Sequence, residues 1–193
     1  MAKDVIELIT ADHRTVEHLF DRLKSGQGDR AALAHEVAVL LVAHSRSEEE
    51  RVYPAVTKAA PGEKDEVDHA EDEHAEAERL AWRLARTDPA AKKFDELLDE
   101  LVEAVGHHVE NEESEVLPAL REAVDAARLE RLGEAFSARR GEELRKAGDA
   151  GAPSDGATRD ELYREARQAE VPGRSQMNKA ELADAVGRGR AAD

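Results

Sequence analysis

The chain has 193 residues, a formal charge of −16 at neutral pH and no cysteine. This excludes disulfides and thiolate metal sites, and it opposes non-specific nucleic-acid binding by the body of the molecule. With 37% charged and 3% aromatic residues, the balance is that of amphipathic helices with wide solvated faces, so the fold class is all-α. No stretch approaches the about 18 apolar residues of a membrane span, and Met1-Ala-Lys-Asp4 lacks the basic start and apolar run of a signal peptide. The expected location is cytoplasmic, with no membrane partner.

In chain order, Asp4 with Glu7 forms a capping box that opens a first helix, expected to run to about Lys24. Its apolar stripe, Val5, Ile9, Val16, Leu19, Phe20 and Leu23, is interrupted on its own line by His13, whereas His18 points elsewhere. Asp29 starts a second helix whose buried line is Ala34, Val37, Leu41, His44, Glu48 and Val52. A carboxylate on that line must be protonated, ion-paired or metal-bound, because burial without a partner costs several kcal/mol. Glu49, Glu50 and Arg51 turn away from this line and read as solvent residues, and His35 reads as surface. Pro54 is expected to end the helix.

Ala60-Pro61-Gly62 connects to a third helix with Val67, Ala70, His74, Ala77, Ala81 and Leu84 on one line and Trp82 at its flank. Asp88 as cap and Pro89 at the first position are expected to start the fourth, which lines up Leu97, Leu101, Val105, His108 and Glu112. Within these helices the chain repeats itself. His44-Ser-Arg-Ser-Glu48 recurs 64 residues later as His108-Val-Glu-Asn-Glu112, each followed by a Pro ten residues after its His. Asp12-His13 with Glu17, Leu19, Arg22 and Leu23 recurs 61 residues later as Glu73-His74 with Glu78, Leu80, Arg83 and Leu84. The chain is therefore a duplicated helical hairpin.

His and Glu four apart on a helix project from one face, which lets an imidazole nitrogen and a carboxylate oxygen reach one metal. Two copies imply two metals, and an all-nitrogen-and-oxygen donor set favours iron or manganese over structural zinc. The candidate ligands are His13, His44, Glu48, His74, His108 and Glu112. His69, five before His74, and His107, beside His108, face away from that set, although an irregular start to the third helix would bring His69 in. Tyr53 stands where the second copy has Leu117. Ideal helix geometry turns its side chain into the core, while a break at Pro54 would direct the hydroxyl towards the metals; no catalytic residue is assigned.

The doubled His-x-x-x-Glu with its trailing Pro resembles the hemerythrin-like (HHE) cation-binding family over about Asp4 to Glu122. The resemblance implies an up-down-up-down four-helix bundle holding a non-haem centre of two iron ions, oxo- or hydroxo-bridged. It makes His13, His44, His74 and His108 terminal ligands and Glu48 and Glu112 bridging ones. Oxygen-carrying hemerythrins have a fifth His, four residues from its partner on the third helix, where this chain has only the five-residue spacing of His69 and His74. Two bridging carboxylates and two imidazoles per iron leave open positions on both metals, which suits binding and reducing peroxide or sensing dioxygen or nitric oxide in oxidative stress. Catalase-like or peroxidase-like turnover, and iron or dioxygen binding without turnover, are both compatible with that ligand set.

After the bundle an extra helix, roughly Asp125 to Lys146, carries Leu129, Leu132, Phe136 and Leu144 and is expected to pack on the bundle or a second subunit. The domain reading is therefore 1–146, the bundle plus this helix; 147–157, a Gly- and Ala-rich linker; and 158–193, a small helix-extended-helix module. That module, with Leu162, Tyr163, Ala166, Val171-Pro172-Gly173-Arg174-Ser175, Met177 and Leu182, resembles the N-terminal helical domain of the Rho transcription terminator and SAP modules. Seven Lys and Arg against seven Asp and Glu make it neutral, so a nucleic-acid partner through it is a weak expectation.

Overall fold

The computed structural model describes residues 3–149; the expected Rho-like module and all but the start of the expected linker lie outside them. The described chain is helical throughout. α1 (Val5–Lys24), α2 (Arg30–Arg51), α4 (Lys64–Ala85) and α5 (Lys92–Asn111) are the four long helices. Each spans about 30 Å at 1.5 Å per residue. They alternate in direction and pack in the cyclic order α1, α2, α4, α5. Short α3 (Tyr53–Ala59) follows α2, and α6 (Leu117–Ala123) follows a π-helical segment at Glu112–Val116. The last helix, α7 (Ala126–Asp149), lies against α1 and α2.

Local chemistry accounts for most boundaries. Asp4 accepts from the Glu7 amide at 2.9 Å while the Glu7 carboxylate accepts from the Asp4 amide at 3.2 Å, a complete capping box. Asp29 caps α2 by accepting from the Ala31 and Ala32 amides. The α1–α2 turn needs positive φ at Gly26 (70°) and Gly28 (94°), which glycine adopts without the Cβ penalty. The fourth long helix starts at Lys92, not at Pro89: Asp88 caps only a local turn to the Ala90 amide, and Arg30 holds that turn by donating to the Pro89 carbonyl at 2.9 Å. Arg30 also lies 4.4 Å over the Phe94 ring.

The core consists of two apolar clusters. One joins Leu19, Leu23, Val37, Leu84, Leu97 and Leu101 with their neighbours; the other gathers Val5, Ile9, Val56, Val116, Leu120, Leu132 and Phe136. Between them lies a layer of buried polar side chains, the four His and two Glu singled out from the sequence. The second cluster includes α7 residues, so the extra helix packs on its own bundle. Gly133 lets it approach α1 closely, since a Cβ there would sit 2.7 Å from the Lys3 carbonyl oxygen.

α7 is also held by ions. Arg139, 8% exposed, donates from Nε to Glu50 at 2.7 Å and from a terminal nitrogen to the same carboxylate at 2.8 Å, and it pairs with Glu143. Glu143 further accepts from Arg46 and Lys146, each at 2.7 Å. Burial opposes the Glu143 charge, but Lys146, Arg139 and Arg46 outweigh it and hold the carboxyl down to about 2. A depressed folded-state pKa contributes stability above the ordinary carboxylate range and loses it as pH falls through the depressed value. Glu143→Gln should therefore lower the melting temperature at pH 7, and the gap from the parent should shrink between about pH 4.5 and 2, as read from thermal melts across that range.

Candidate metal centre

All six expected ligand residues meet in the polar layer, one His from each long helix, Glu48 near the end of α2 and Glu112 at the start of the π-helical segment. None is more than 5% exposed, and Glu48 is fully buried. The ring atoms face inward by Nε2. His44 Nε2 and His74 Nε2 each lie 3.2 Å from Glu48 Oε2, His13 Nε2 lies 3.4 Å from Glu112 Oε2, and the Nε2 atoms of His74 and His108 are 3.1 Å apart.

The donors form two overlapping groups: His13, His44, His108 and Glu112, and His44, Glu48, His74 and His108. In each, one ligand atom per residue falls within 4.8 Å of the others. The internal repeat, which pairs His13 with His74, His44 with His108 and Glu48 with Glu112, turns one group into the other.

Each His is held from behind by a carboxylate on the preceding helix of the cycle. Asp12 of α1 lies 3.6 Å from His44 Nδ1, Glu49 of α2 3.3 Å from His74 Nδ1, Glu73 of α4 3.2 Å from His108 Nδ1, and Glu113 of the π segment 2.8 Å from His13 Nδ1. The hydrogen bonds from Glu49, Glu73 and Glu113 fix the orientation of the His74, His108 and His13 rings and leave Nε2 for a metal, while Asp12 stands at ion-pair distance from a His44 Nδ1 that has no hydrogen-bond partner. Glu49 is therefore not the solvent residue its helical phase implied. The sequence carried a signal for all four: Asp12-His13 and Glu73-His74 repeat, and so do Glu48-Glu49 and Glu112-Glu113.

Tyr53 reaches the centre. Its hydroxyl donates to Glu112 Oε1 at 3.2 Å and lies 3.5 Å from Glu48 Oε2 and His74 Nε2, with its ring stacked on His74. The reason is the break between α2 and α3 at Val52, two residues earlier than Pro54. That break frees Tyr53 from the α2 phase. Burial, with Glu112 and Glu48 alongside, pushes the phenol well above its ordinary pKa, so it keeps its proton. His69 and His107 lie outside the layer, His18 is exposed, and His35 is half-buried against Trp82 at 5.6 Å between ring centroids.

The electrostatics of the side chains alone are those of a cation site. Burial disfavours a charged His44, but Glu48, Asp12 and Glu112 raise it to about 10, and Glu48 with Glu49 raises His74 to about 9 against the same burial. Burial also works against a charged Glu48, yet His44 and His74 hold it well below the carboxylate range. Burial and His74 push His108 down, consistent with a neutral ring accepting from His74. Even so, His13 Nε2, His44 Nε2, Glu48 Oε1 and Glu112 Oε2 are buried without a hydrogen-bond partner. Buried polar atoms are ordinarily satisfied, and these four converge, so the residues fit a bound metal.

A buried His and carboxylate layer on a four-helix scaffold defines a metal-cation-binding bundle. The chain belongs to the hemerythrin HHE cation binding domain family, whose pattern matches residues 4–120. Its fold is similar to the crystal structure of a hemerythrin HHE cation binding domain-containing protein, an Rv2633c homologue from Mycobacterium kansasii. The TM-score is 0.64 and the identity 21%, over 95% of this chain and 99% of that one. Among curated proteins, a DNA nickase from a Nostoc species is 28% identical over 137 residues, 70% of this chain and 38% of that protein. The chain thus spans well under half the length of that curated relative.

A metal ligand must be a neutral imidazole, so a cation has to displace the protons that Glu48 and its neighbours stabilise on His44 and His74. Metal loading at pH 7 should release protons into a weakly buffered solution. Affinity should rise with pH up to about 9–10, where the two rings lose their protons unaided. Titration calorimetry in buffers of different ionisation enthalpy measures both; loading without proton release would contradict this charge balance.

Proposed function

We propose that the chain is a non-haem di-iron protein that reacts with or senses a small oxidant: hydrogen peroxide, dioxygen or nitric oxide. In this reading His13, His44, His74 and His108 would hold the irons through their Nε2 atoms, with Glu48 and Glu112 as the carboxylates shared between them. The supporting observation is the pair of donor groups exchanged by the internal repeat, sealed between apolar clusters, with converging buried atoms that have no partner. Bound iron would supply electrons and Lewis acidity to an oxidant.

The chain's own residues do the rest. The apolar clusters exclude bulk water from both ends of the layer. Asp12, Glu49, Glu73 and Glu113 hold the Nδ1 sides of the rings. Tyr53 keeps a proton at its hydroxyl, aimed between Glu112, Glu48 and His74, where it can donate to an oxygen species entering the layer. Catalase-like turnover and a cytoplasmic location belong to the same proposal. An activity on DNA, as in the nickase's name, does not: a charge of −16 repels phosphate.

Iron analysis and oxygen evolution from peroxide test the reading. The purified protein should carry about two irons per chain, as a two-carboxylate bundle site requires. Glu48→Ala and Glu112→Ala should each lose most of the iron, because a carboxylate spanning two metals unties both, whereas His13→Ala or His74→Ala should lose less. Equal losses in all four variants would remove the bridging roles. Reversible dioxygen uptake without peroxide consumption would make the protein a carrier.

Tyr53→Phe keeps the ring volume, so iron content should hold and stability should change by less than about 1.5 kcal/mol. Peroxide consumption should fall at least about tenfold if the hydroxyl assists the reaction. An unchanged rate would assign Tyr53 to packing alone.

A further inference from the structure

His69 and Glu73 on α4 are a third His and Glu four residues apart, on a face of the helix outside the buried layer. His69 Nε2 lies 3.3 Å from Glu73 Oε1, and His107 of the neighbouring α5 brings its Nδ1 to 2.6 Å from the same oxygen. Ligand atoms of the three residues all fall within 4.8 Å of one another. The His69 and His107 side chains are 57% and 62% exposed, and Glu73 is 13% exposed. The other Glu73 oxygen accepts from His108 Nδ1 at 3.2 Å. One carboxylate thus faces two solvent-exposed imidazoles on one side and a buried imidazole on the other.

Two of the three corresponding carboxylates are balanced by permanent cations: Asp12 by Arg140 at 2.5 Å and Glu113 by Arg14 at 2.6 Å. Among the described residues no Lys or Arg pairs with Glu73; its outer partners are His69, His107 and the Asn111 amide at 3.4 Å. Exposed His–carboxylate pairs gain little by themselves. Two imidazoles and a carboxylate converging from two helices are, however, the donor set of open three-ligand sites. Donors about 2.0–2.2 Å from a tetrahedral ion stand a little over 3 Å apart, a spacing that rotamer adjustment of two exposed rings reaches without backbone movement. The surrounding α4 surface, with Asp65, Glu66, Asp68 and Asp72, adds negative charge that draws cations.

We propose that His69, Glu73 and His107 form a second, solvent-facing site for a divalent transition-metal cation, joined to the buried layer through the Glu73–His108 contact. It is distinct from the buried donor groups, shares none of their residues, and takes a borderline cation such as Zn2+, Co2+ or Fe2+ on two nitrogens and an oxygen.

Equilibrium dialysis of the full chain against Zn2+, with zinc and iron counted together by mass spectrometry, tests it. The parent should take up one more Zn2+ than His69→Ala or His107→Ala. The affinity of each variant at that site should fall at least about tenfold, a loss already seen for weaker perturbations of metal sites. Both positions are exposed, so the variants should melt like the parent, and His18→Ala, an exposed His elsewhere on the surface, should keep the extra ion. Because the readout is a difference between parent and variants, it stands whether or not the buried layer carries iron. Equal zinc uptake by parent and variants, an equal loss in His18→Ala, or zinc appearing only in step with released iron would each overturn the site.

Discussion

Two carboxylates with 0% and 1% exposure in the middle of a helical bundle are the constraint on which this structure turns. Glu48 and Glu112 displace apolar side chains from a core that would be more stable without them, since burying a carboxylate costs far more than one neutral hydrogen bond returns. The surroundings are built to offset that cost. Imidazoles from all four long helices face the two carboxylates, a phenol donates to one of them, and the apolar side chains divide into a cluster on each side of the layer. The partners offset the cost incompletely, because oxygen and nitrogen atoms remain unsatisfied at the centre. A bundle selected for stability alone would place Leu at these six positions.

The duplicated hairpin explains how so many polar groups are placed with so few rules. The residue before each single His, Asp12 or Glu73, supports the His of the next helix; the residue after each inward Glu, Glu49 or Glu113, supports the single His beyond it. Four support contacts thus come from two doublets, each used twice around the cycle of helices. The copies differ where asymmetry has a use. α2 breaks at Val52 and sends Tyr53 inward, whereas α5 runs into a π-helical segment that keeps both Glu112 and Glu113 directed at the layer while Leu117 stays apolar. π segments of this kind concentrate at functional sites because one extra residue per turn re-aims the side chains that follow.

The six donors were legible in the sequence because periodicity and repetition are independent signals that coincide at the same residues. His13, His44, Glu48, His74, His108 and Glu112 are polar positions on apolar lines, and the repeat pairs them. Glu49 was not legible from phase alone: it lies about 100° from Glu48 on α2, and only the position of α4 decides whether that direction meets water or His74. Tyr53 was left between core and centre for a related reason, since a helix break moves every later side chain to a new phase, and the break falls two residues before the expected proline. Asp88-Pro89 has the composition of a helix start, but the Arg30 contact fixes it as a turn and delays α5 to Lys92. Long-range partners made each of these choices.

The position of α7 gives the centre two unlike sides. α7 lies over α1 and α2, sets Phe136 edge-on to His44 with 6.1 Å between centroids, and brings Arg140 to Asp12, the carboxylate behind that His. On that side an aromatic ring and a fixed cation stand between the layer and solvent, so the Asp12 carboxylate behind His44 is itself paired with a group whose charge does not change with pH. On the α4–α5 side the corresponding carboxylate, Glu73, meets two exposed imidazoles, whose charge depends on protons and metal. The repeat makes the inner donors equivalent, and α7 makes their outer environments different. A cation or proton approaching the layer from the α4–α5 side therefore meets imidazole and carboxylate donors at His69, Glu73 and His107, whereas on the α7 side Phe136 covers His44 and the carboxylates Asp12, Glu50 and Glu143 are tied to Arg140 and Arg139.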